Sequence, residues 1–162
     1  MKPLKLFIGS GFGSGYSPVA PGTFGSLLSL VPIYFILQID SVLGIAFFVT
    51  ICSILTLWVS PVCEEEWGED PGTLVMDEFA GQGLVFLSVS LSLDLIPNLI
   101  VLSLGFLLFR IFDIWKPLGI NKVQKIGKGL GILLDDLIAG LYAFICLKTL
   151  IFILCKFFDI TF

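Results

Sequence analysis

The sequence contains no histidine. That absence removes His-based zinc sites, Ser-His-Asp triads and phosphohistidine chemistry together. Charge is also scarce: Asp, Glu, Lys and Arg make up 14% of the chain, against about 25% in a soluble domain. No basic run interleaved with aromatics is present and the net charge is -4, so no nucleic-acid partner is expected. The four cysteines, Cys52, Cys63, Cys146 and Cys155, form no CxxC pair, and three lie in apolar runs. They read as small buried or lipid-facing hydrophobes rather than ligands. A secretory signal is not expected either. Lys2 and Lys5 are followed by an apolar run of only Leu6 to Ile8 before glycines take over.

What the chain has in excess is apolar residues, at 57%, with a mean hydropathy of +1.05. At 162 residues it reads as a single domain, 1–162, and its composition is that of an integral membrane protein. Five apolar segments are expected: about Phe24 to Ile39, Val42 to Val59, Phe79 to Leu93, Leu95 to Trp115 and Leu137 to Cys155. A spanning helix needs roughly 20 apolar residues, so the first and third are short. Asp40-Ser41 and the stretch Asp94, Pro97-Asn98 read as tight breaks between consecutive helices. The expected fold is therefore all-α, a multi-helical membrane protein of about four to five hydrophobic helices with its polar loops on one side. Threaded alternately, the segments bring the N-terminus and the loops 60–78 and 116–136 to one face. That face carries Lys2, Lys5, Arg110, Lys116, Lys122, Lys125 and Lys128, seven of the nine basic residues. Lys156 falls opposite and Lys148 lies within the fifth segment. The positive-inside rule makes the crowded face cytoplasmic.

Every polar motif lies on that face. The first, Gly9 to Ser26 ("GSGFGSGYSPVAPGTFGS"), is too rich in glycine and proline for a regular helix. It is neither GxGxxG nor a Walker A loop, and reads as a loop leading into a helix capped by Thr23. In "EDPGTLVMDEFAG", Asp77 and Glu78 stand where the third segment begins, and by themselves would be acids favouring a helix dipole. The neighbouring run Glu64 to Glu66 reads as a solvated face. In "FRIFDIWKP", Arg110 and Asp113 are i,i+3 on one helical face, Lys116 follows three residues later and Pro117 ends the helix. In "GKGLGILLDDLIAG", Asp135 and Asp136 are adjacent, so their side chains point about 100° apart.

An intramembrane carboxylate costs roughly 2.5–3.5 kcal/mol at a helix centre, less near the interface. Five of them, Asp77, Glu78, Asp113, Asp135 and Asp136, are expected at one membrane surface. Like charges about 4 Å apart repel by roughly 4 kcal/mol at an effective dielectric near 20. Such a cluster needs protons or a cation among its members. An all-oxygen set suits Mg²⁺, Mn²⁺ or Ca²⁺, and Mg²⁺ commonly pairs a few carboxylates with water and substrate phosphate. Arg110 and the lysines supply the matching positive charge. The residues alone thus point to a cytoplasm-facing, Mg²⁺-type phosphate site at a bilayer surface.

The stretches "SPVAPGTFGS", "DPGTLVMDEFAGQ", "FRIFDIWKPLGI" and "GLGILLDDLIAGLYA" resemble the phosphatidylglycerophosphatase A family, in order and spacing, over most of Ser17 to Ala143. The resemblance implies a Mg²⁺-dependent hydrolase that converts phosphatidylglycerophosphate to phosphatidylglycerol and inorganic phosphate, multi-pass in the bacterial inner membrane with its active site facing the cytoplasm. It implies Asp77, Glu78, Asp113 and Asp136 as catalytic residues, those four with Asp135 around the metal, and Thr23, Ser26, Arg110 and Lys116 at the substrate phosphate. One departure is Lys128-Gly129, where the family has a pair of glycines. The DxDx[TV] pattern of aspartyl-phosphate enzymes and the CxxxxxR of cysteine phosphatases are both missing. A small cation transporter or channel subunit using the same acids is the alternative, though it would more naturally place them near the bilayer midplane. A scaffold with interfacial charge pairs is a third. Oligomeric state is not legible.

Overall fold

The structure is a computed structural model that describes residues 1–117 and 127–158. Lys122 and Lys125 lie outside the described residues, as does the side chain of Lys128. Among the described residues six α-helices follow one another: α1 (Lys2–Gly9), α2 (Pro21–Leu37), α3 (Leu43–Trp67), α4 (Met76–Val85), α5 (Leu95–Trp115) and α6 (Lys128–Phe158), with a short 3₁₀ turn at Ser14–Tyr16. No strand is present among the described residues. The expected all-α architecture is the one observed.

Among the described residues three helices are long and apolar enough to cross a membrane: Leu43–Trp67, Leu95–Trp115 and Gly129–Phe157. Much of their surface is exposed apolar side chain, Phe47, Leu107 and Ile145 among them, as lipid-facing helices require. Hydroxyl residues inside α3 are satisfied within the helix: Thr50, Ser53 and Thr56 donate to the carbonyls of Ala46, Val49 and Cys52, each four residues back. α2 is shorter and equally apolar. The α2–α3 hairpin turns at Asp40, whose Oδ1 accepts the N–H groups of Val42 and Leu43 at 2.8 Å each.

Three expectations need correction. The helix α2 begins at Pro21 after Ala20 in a left-handed conformation (φ 47), so Thr23 is inside the first turn and caps nothing. Proline at the first helical position, with its fixed φ and missing N–H, starts the helix instead. The third apolar segment is helical only over Met76–Val85, too short to span. Its continuation runs without regular structure to Asp94, and Ser88 N–H meets the Ser41 carbonyl at the α2–α3 hairpin. Irregular backbone at this depth is tolerable because Phe86 and Val89 are buried in the protein. Finally, α6 starts at Lys128, well before Leu137, so Asp135 and Asp136 lie two turns inside a helix rather than at its mouth.

The short α4 is the hub. Eight of its ten residues are buried, and it packs against α2, α3, α5 and α6. Glycine allows the closest approach: a β-carbon on Gly140 of α6 would sit 2.3 Å from the Gly81 carbonyl oxygen, and one on Gly81 2.6 Å from that of Asp136. Around this seam lie Phe86, Phe109, Ala139, Ala143 and Leu147 on one side and Cys63, Met76, Phe79 and Leu133 on the other. Cys52 and Cys63 are buried and Cys155 exposed, all four cysteines being free.

The α4–α6 seam is directly testable. Alanine ordinarily favours a helix interior over glycine by about 1 kcal/mol. Gly140→Ala should nevertheless destabilise the protein by about 1–3 kcal/mol, because the new methyl meets backbone rather than a movable side chain. Thermal unfolding in detergent reads this as a lowered midpoint; an unchanged or raised midpoint would contradict the packing described.

Candidate functional site

The first turn of α4 presents Asp77 and Glu78, the last turns of α5 present Arg110 and Asp113, and α6 presents Asp135 and Asp136. The loop before α4 is held in place by the Val75 N–H bonding the Gly9 carbonyl at 2.9 Å and by Gly15 seated on the Thr73 carbonyl. The glycine-rich N-terminal segment therefore packs on the acidic loop. Its glycines serve close approach: at Gly22 a β-carbon would sit 1.9 Å from Glu78 Oε1.

The carboxylates converge on one polar cavity of about 200 Å³, lined by Asp77, Glu78, Asp113, Asp135, Asp136 and Lys116, with Asp70, Pro71 and Gly72 at the loop before α4. One oxygen from each of Asp113, Asp135 and Asp136 lies within 4.8 Å of the others. The adjacent acids of α6 thus do share a target, despite diverging on the helix, because the cavity reaches both.

Positive charge is built into the walls. Arg110 Nη1 donates to Glu78 Oε2 and to Asp113 Oδ2, both at 2.9 Å. The Ser26 hydroxyl donates to Glu78 Oε2 at 2.6 Å and lies 3.2 Å from Arg110 Nη1. Lys116 ends α5 in a left-handed conformation (φ 47), and its ammonium pairs with Asp135. A non-glycine residue in that region is uncommon and often marks a functional position.

The balance still favours negative charge. Burial pushes the Asp77 carboxyl well above the usual carboxylate range, and Glu78 beside it adds to the rise. Burial also pushes Glu78 up, to about 7, against the opposing pull of Arg110 and Ser26. At Lys116 burial works the other way, but the hydrogen bond and charge of Asp135 outweigh it and raise the ammonium. Several buried oxygens have no partner: Asp77 Oδ1, Asp135 Oδ1 and Asp136 Oδ2. Hard oxygen donors, mutually close and unpartnered, fit a divalent cation such as Mg²⁺.

All five acids expected at the metal line the cavity. Of the four residues expected at the phosphate, Lys116 lines it, while Ser26 and Arg110 stand behind Glu78. Thr23 is not among the lining residues. The carbon stem of Arg110 lines an apolar recess with Leu107, Ile111, Ile114 and Trp115, and its buried Nε has no partner. The Glu78–Arg110 pair and the Ser26–Glu78 bond escaped the sequence reading, since 32 and 52 residues separate the partners. So did Asp70 at the cavity wall and Gln82, fully buried with neither amide atom partnered. Glu65 and Glu66 are exposed, as a solvated face requires, and Glu66 pairs with Lys2 at 2.7 Å.

Fold and site define an all-helical membrane protein whose polar centre is a buried carboxylate cluster clamped by an arginine and a lysine. The family model for phosphatidylglycerophosphatase A matches residues 7–151, and the chain belongs to that family of phosphoric monoester hydrolases. A Bacteroides thetaiotaomicron protein provisionally named a phosphatidylinositol-3-phosphatase is 40% identical, with 88% of this chain and 90% of that protein covered. Proteins named phosphatidylglycerophosphatase A from Haemophilus influenzae and Escherichia coli are 35% and 32% identical, covering 90% and 80% of this chain and 86% and 73% of theirs. No solved structure matches.

Replacing Arg110 by alanine would strand two mostly buried carboxylates. Such a loss costs about 3–5 kcal/mol when a buried pair is broken. Arg110→Ala should therefore unfold at much lower temperature or denaturant than wild type. Because glutamine at position 78 removes one of the two stranded charges, Arg110→Ala with Glu78→Gln should recover part of the loss. Equal stability of the single variant and wild type would show the pair to be energetically idle.

Proposed function

We propose that the protein hydrolyses the phosphomonoester of phosphatidylglycerophosphate, giving phosphatidylglycerol and inorganic phosphate, with Mg²⁺ as cofactor. The observation that carries this reading is the meeting of unpartnered buried carboxylate oxygens with two cationic side chains from the end of the membrane-length helix α5. Membership of the family supports the reaction class, and the names of the two bacterial phosphatidylglycerophosphatases support the substrate.

Asp113, Asp135 and Asp136 would hold the ion, with Asp77 and Glu78 completing the oxygen set. When bound, Mg²⁺ supplies Lewis-acid polarisation of the phosphoryl oxygens and orientation of a water. Lys116, held at the rim by Asp135, faces the cavity where the phosphate charge develops. Arg110 keeps Glu78 and Asp113 in place and sets its positive charge directly behind the cavity wall. A carboxylate not engaged by the ion accepts the proton of the attacking water. Thr23 has the weakest support of the nine residues, since it lies outside the cavity wall.

The site faces the cytoplasm in this reading. Lys2, Lys5, Arg110 and Lys116 cluster at its end of the molecule, while Lys148 donates to the Ser88 carbonyl near the opposite hairpin. A phosphoinositide is the second substrate reading, favoured by the 40% identical relative. The ion-pathway alternative gains nothing from the family.

Phosphate release in detergent micelles tests both substrates. Release from phosphatidylglycerophosphate should require Mg²⁺, stop with chelator, and fall by about 10²–10³-fold in Asp136→Asn, as when a group serving the transition state is removed. Thr23→Ala should stay close to wild type. Faster release from phosphatidylinositol 3-phosphate would move the assignment to phosphoinositides. No release from either, with folded wild type and a range of divalent metals, would sink the phosphatase reading.

A further inference from the structure

Beside the polar cavity, α2 and α5 do not close on each other. Between them runs an apolar groove of about 490 Å³, walled by Leu27, Val31 and Phe35 of α2 and by Leu95, Leu99 and Ser103 of α5. Its floor includes Tyr34 and the buried Leu102. Leu27 and Leu99 are half exposed, at 50% and 51%, although they face into a concavity. From Leu27 to Phe35 the wall is about 12 Å long at the helical rise.

Any apolar groove on a membrane protein fills with lipid, so hydrophobicity by itself names no occupant. The ends of this groove do. Helical residues at i,i+3 and i,i+4 share a face. On α2 the groove face Tyr34, Leu30, Leu27 continues to Thr23, and Leu27 adjoins Ser26, whose hydroxyl bonds Glu78. On α5 the face Leu99, Ser103 continues through Leu107 to Arg110. The two helices run antiparallel here, so the start of α2 meets the end of α5 and both stripes terminate at the same polar point. There Arg110 contacts Glu78, Asp113 and Ser26, its carbon stem lining the apolar recess beside Leu107. A long apolar track leading to a buried cation is complementary to an acyl chain leading to an anionic head group.

We propose that one acyl chain of the lipid phosphate substrate lies in the α2–α5 groove, entering sideways from the bilayer, with its phosphate at the Arg110 end. This rests on the lipid phosphatase reading and extends it. The groove makes the enzyme selective for long-chain lipid phosphates over the same head group on short chains. It also gives Thr23 a place, one turn beyond Leu27 on the groove face of α2 rather than as part of the metal cavity.

The test fills the groove at positions outside the catalytic machinery. Initial rates on long-chain and short-chain phosphatidylglycerophosphate would be compared for wild type, Ser103→Trp and Leu99→Trp in mixed micelles. Displacing a chain by about two methylenes should raise KM for the long-chain lipid about tenfold in both variants, with kcat retained and short-chain kinetics within about twofold. Equal KM changes for both chain lengths, or none for either, would overturn the groove assignment. A measurement independent of turnover separates this from failure of the phosphatase reading: phosphatidylglycerophosphate carrying a photoreactive group in one chain, irradiated with Asp136→Asn. Labelling should map to the groove faces of α2 and α5 and be suppressed by unlabelled phosphatidylglycerophosphate but not by phosphatidylcholine. Such labelling without phosphate release from wild type would sustain the groove and remove the phosphatase reading. Labelling spread over all lipid-facing helices, or a dimer of the chain that Ser103→Trp dissociates, would overturn the groove.

Discussion

The polar end of this molecule depends on one guanidinium. Arg110 Nη1 is shared between Glu78 and Asp113, and Ser26 bonds the same Glu78 oxygen. Three helices, α2, α4 and α5, are tied through that point, and the Lys116–Asp135 pair ties α5 to α6. Only arginine, with several donors in a rigid planar fork and a charge that does not titrate away, can serve two buried carboxylates at once. Buried ion pairs are nonetheless poor devices for stability, since their desolvation commonly cancels their attraction. A helical bundle with this much apolar surface has no need of them to fold. Their presence, with further carboxylate oxygens left unpartnered, is explained by chemistry rather than by stability.

The apolar half answers a different constraint. The α4 helix is too short to cross a membrane, yet it is the element most enclosed by the others. Its depth is fixed by backbone contact at Gly81 and Gly140, where no side chain intervenes. Because such contact cannot slide without collision, the first turn of α4 is held at one level relative to α6. Asp77 and Glu78 therefore stand opposite Asp136 and Asp135. Glycine at the seam and charge at the rim are thus two parts of one arrangement: the first sets the height at which the second can meet.

Much of this was legible in the sequence, and what was not has physical reasons. The span α5 coincided with its apolar run, and Arg110 with Asp113 followed from helical spacing alone. That the acids gather at one end of the molecule followed from alternation of the apolar segments. Hydropathy failed at the third segment, because Phe86 to Leu93 is apolar without being helical; buried backbone and lipid-facing helix look alike by composition. It failed again at the start of α6, where two aspartates interrupt the apolar signal although the helix passes straight through them. Pairings across 32 and 52 residues carry no local signature at all. Thr23 looked like a cap because threonine before an apolar run commonly is one; Pro21 had already begun the helix.

The relatives differ in the head group that their names attach, inositol in one and glycerol in two, while matching this chain over comparable lengths. In the function proposed above, a carboxylate cluster with Lys116 and Arg110 would recognise the phosphomonoester and be indifferent to what lies beyond it. Acyl chains, common to both lipids, cannot separate them either. Discrimination must then come from groups that reach past the phosphate, and among the described residues the cavity wall offers Asp70, Pro71 and Gly72, where Asp70 is exposed and held in a left-handed conformation (φ 48). A ring bearing several hydroxyls offers donors to such a carboxylate and needs more room than a glycerol. In that reading the chemistry would reside in the charge-locked carboxylates of α4, α5 and α6, and the choice of lipid in the loop that precedes α4.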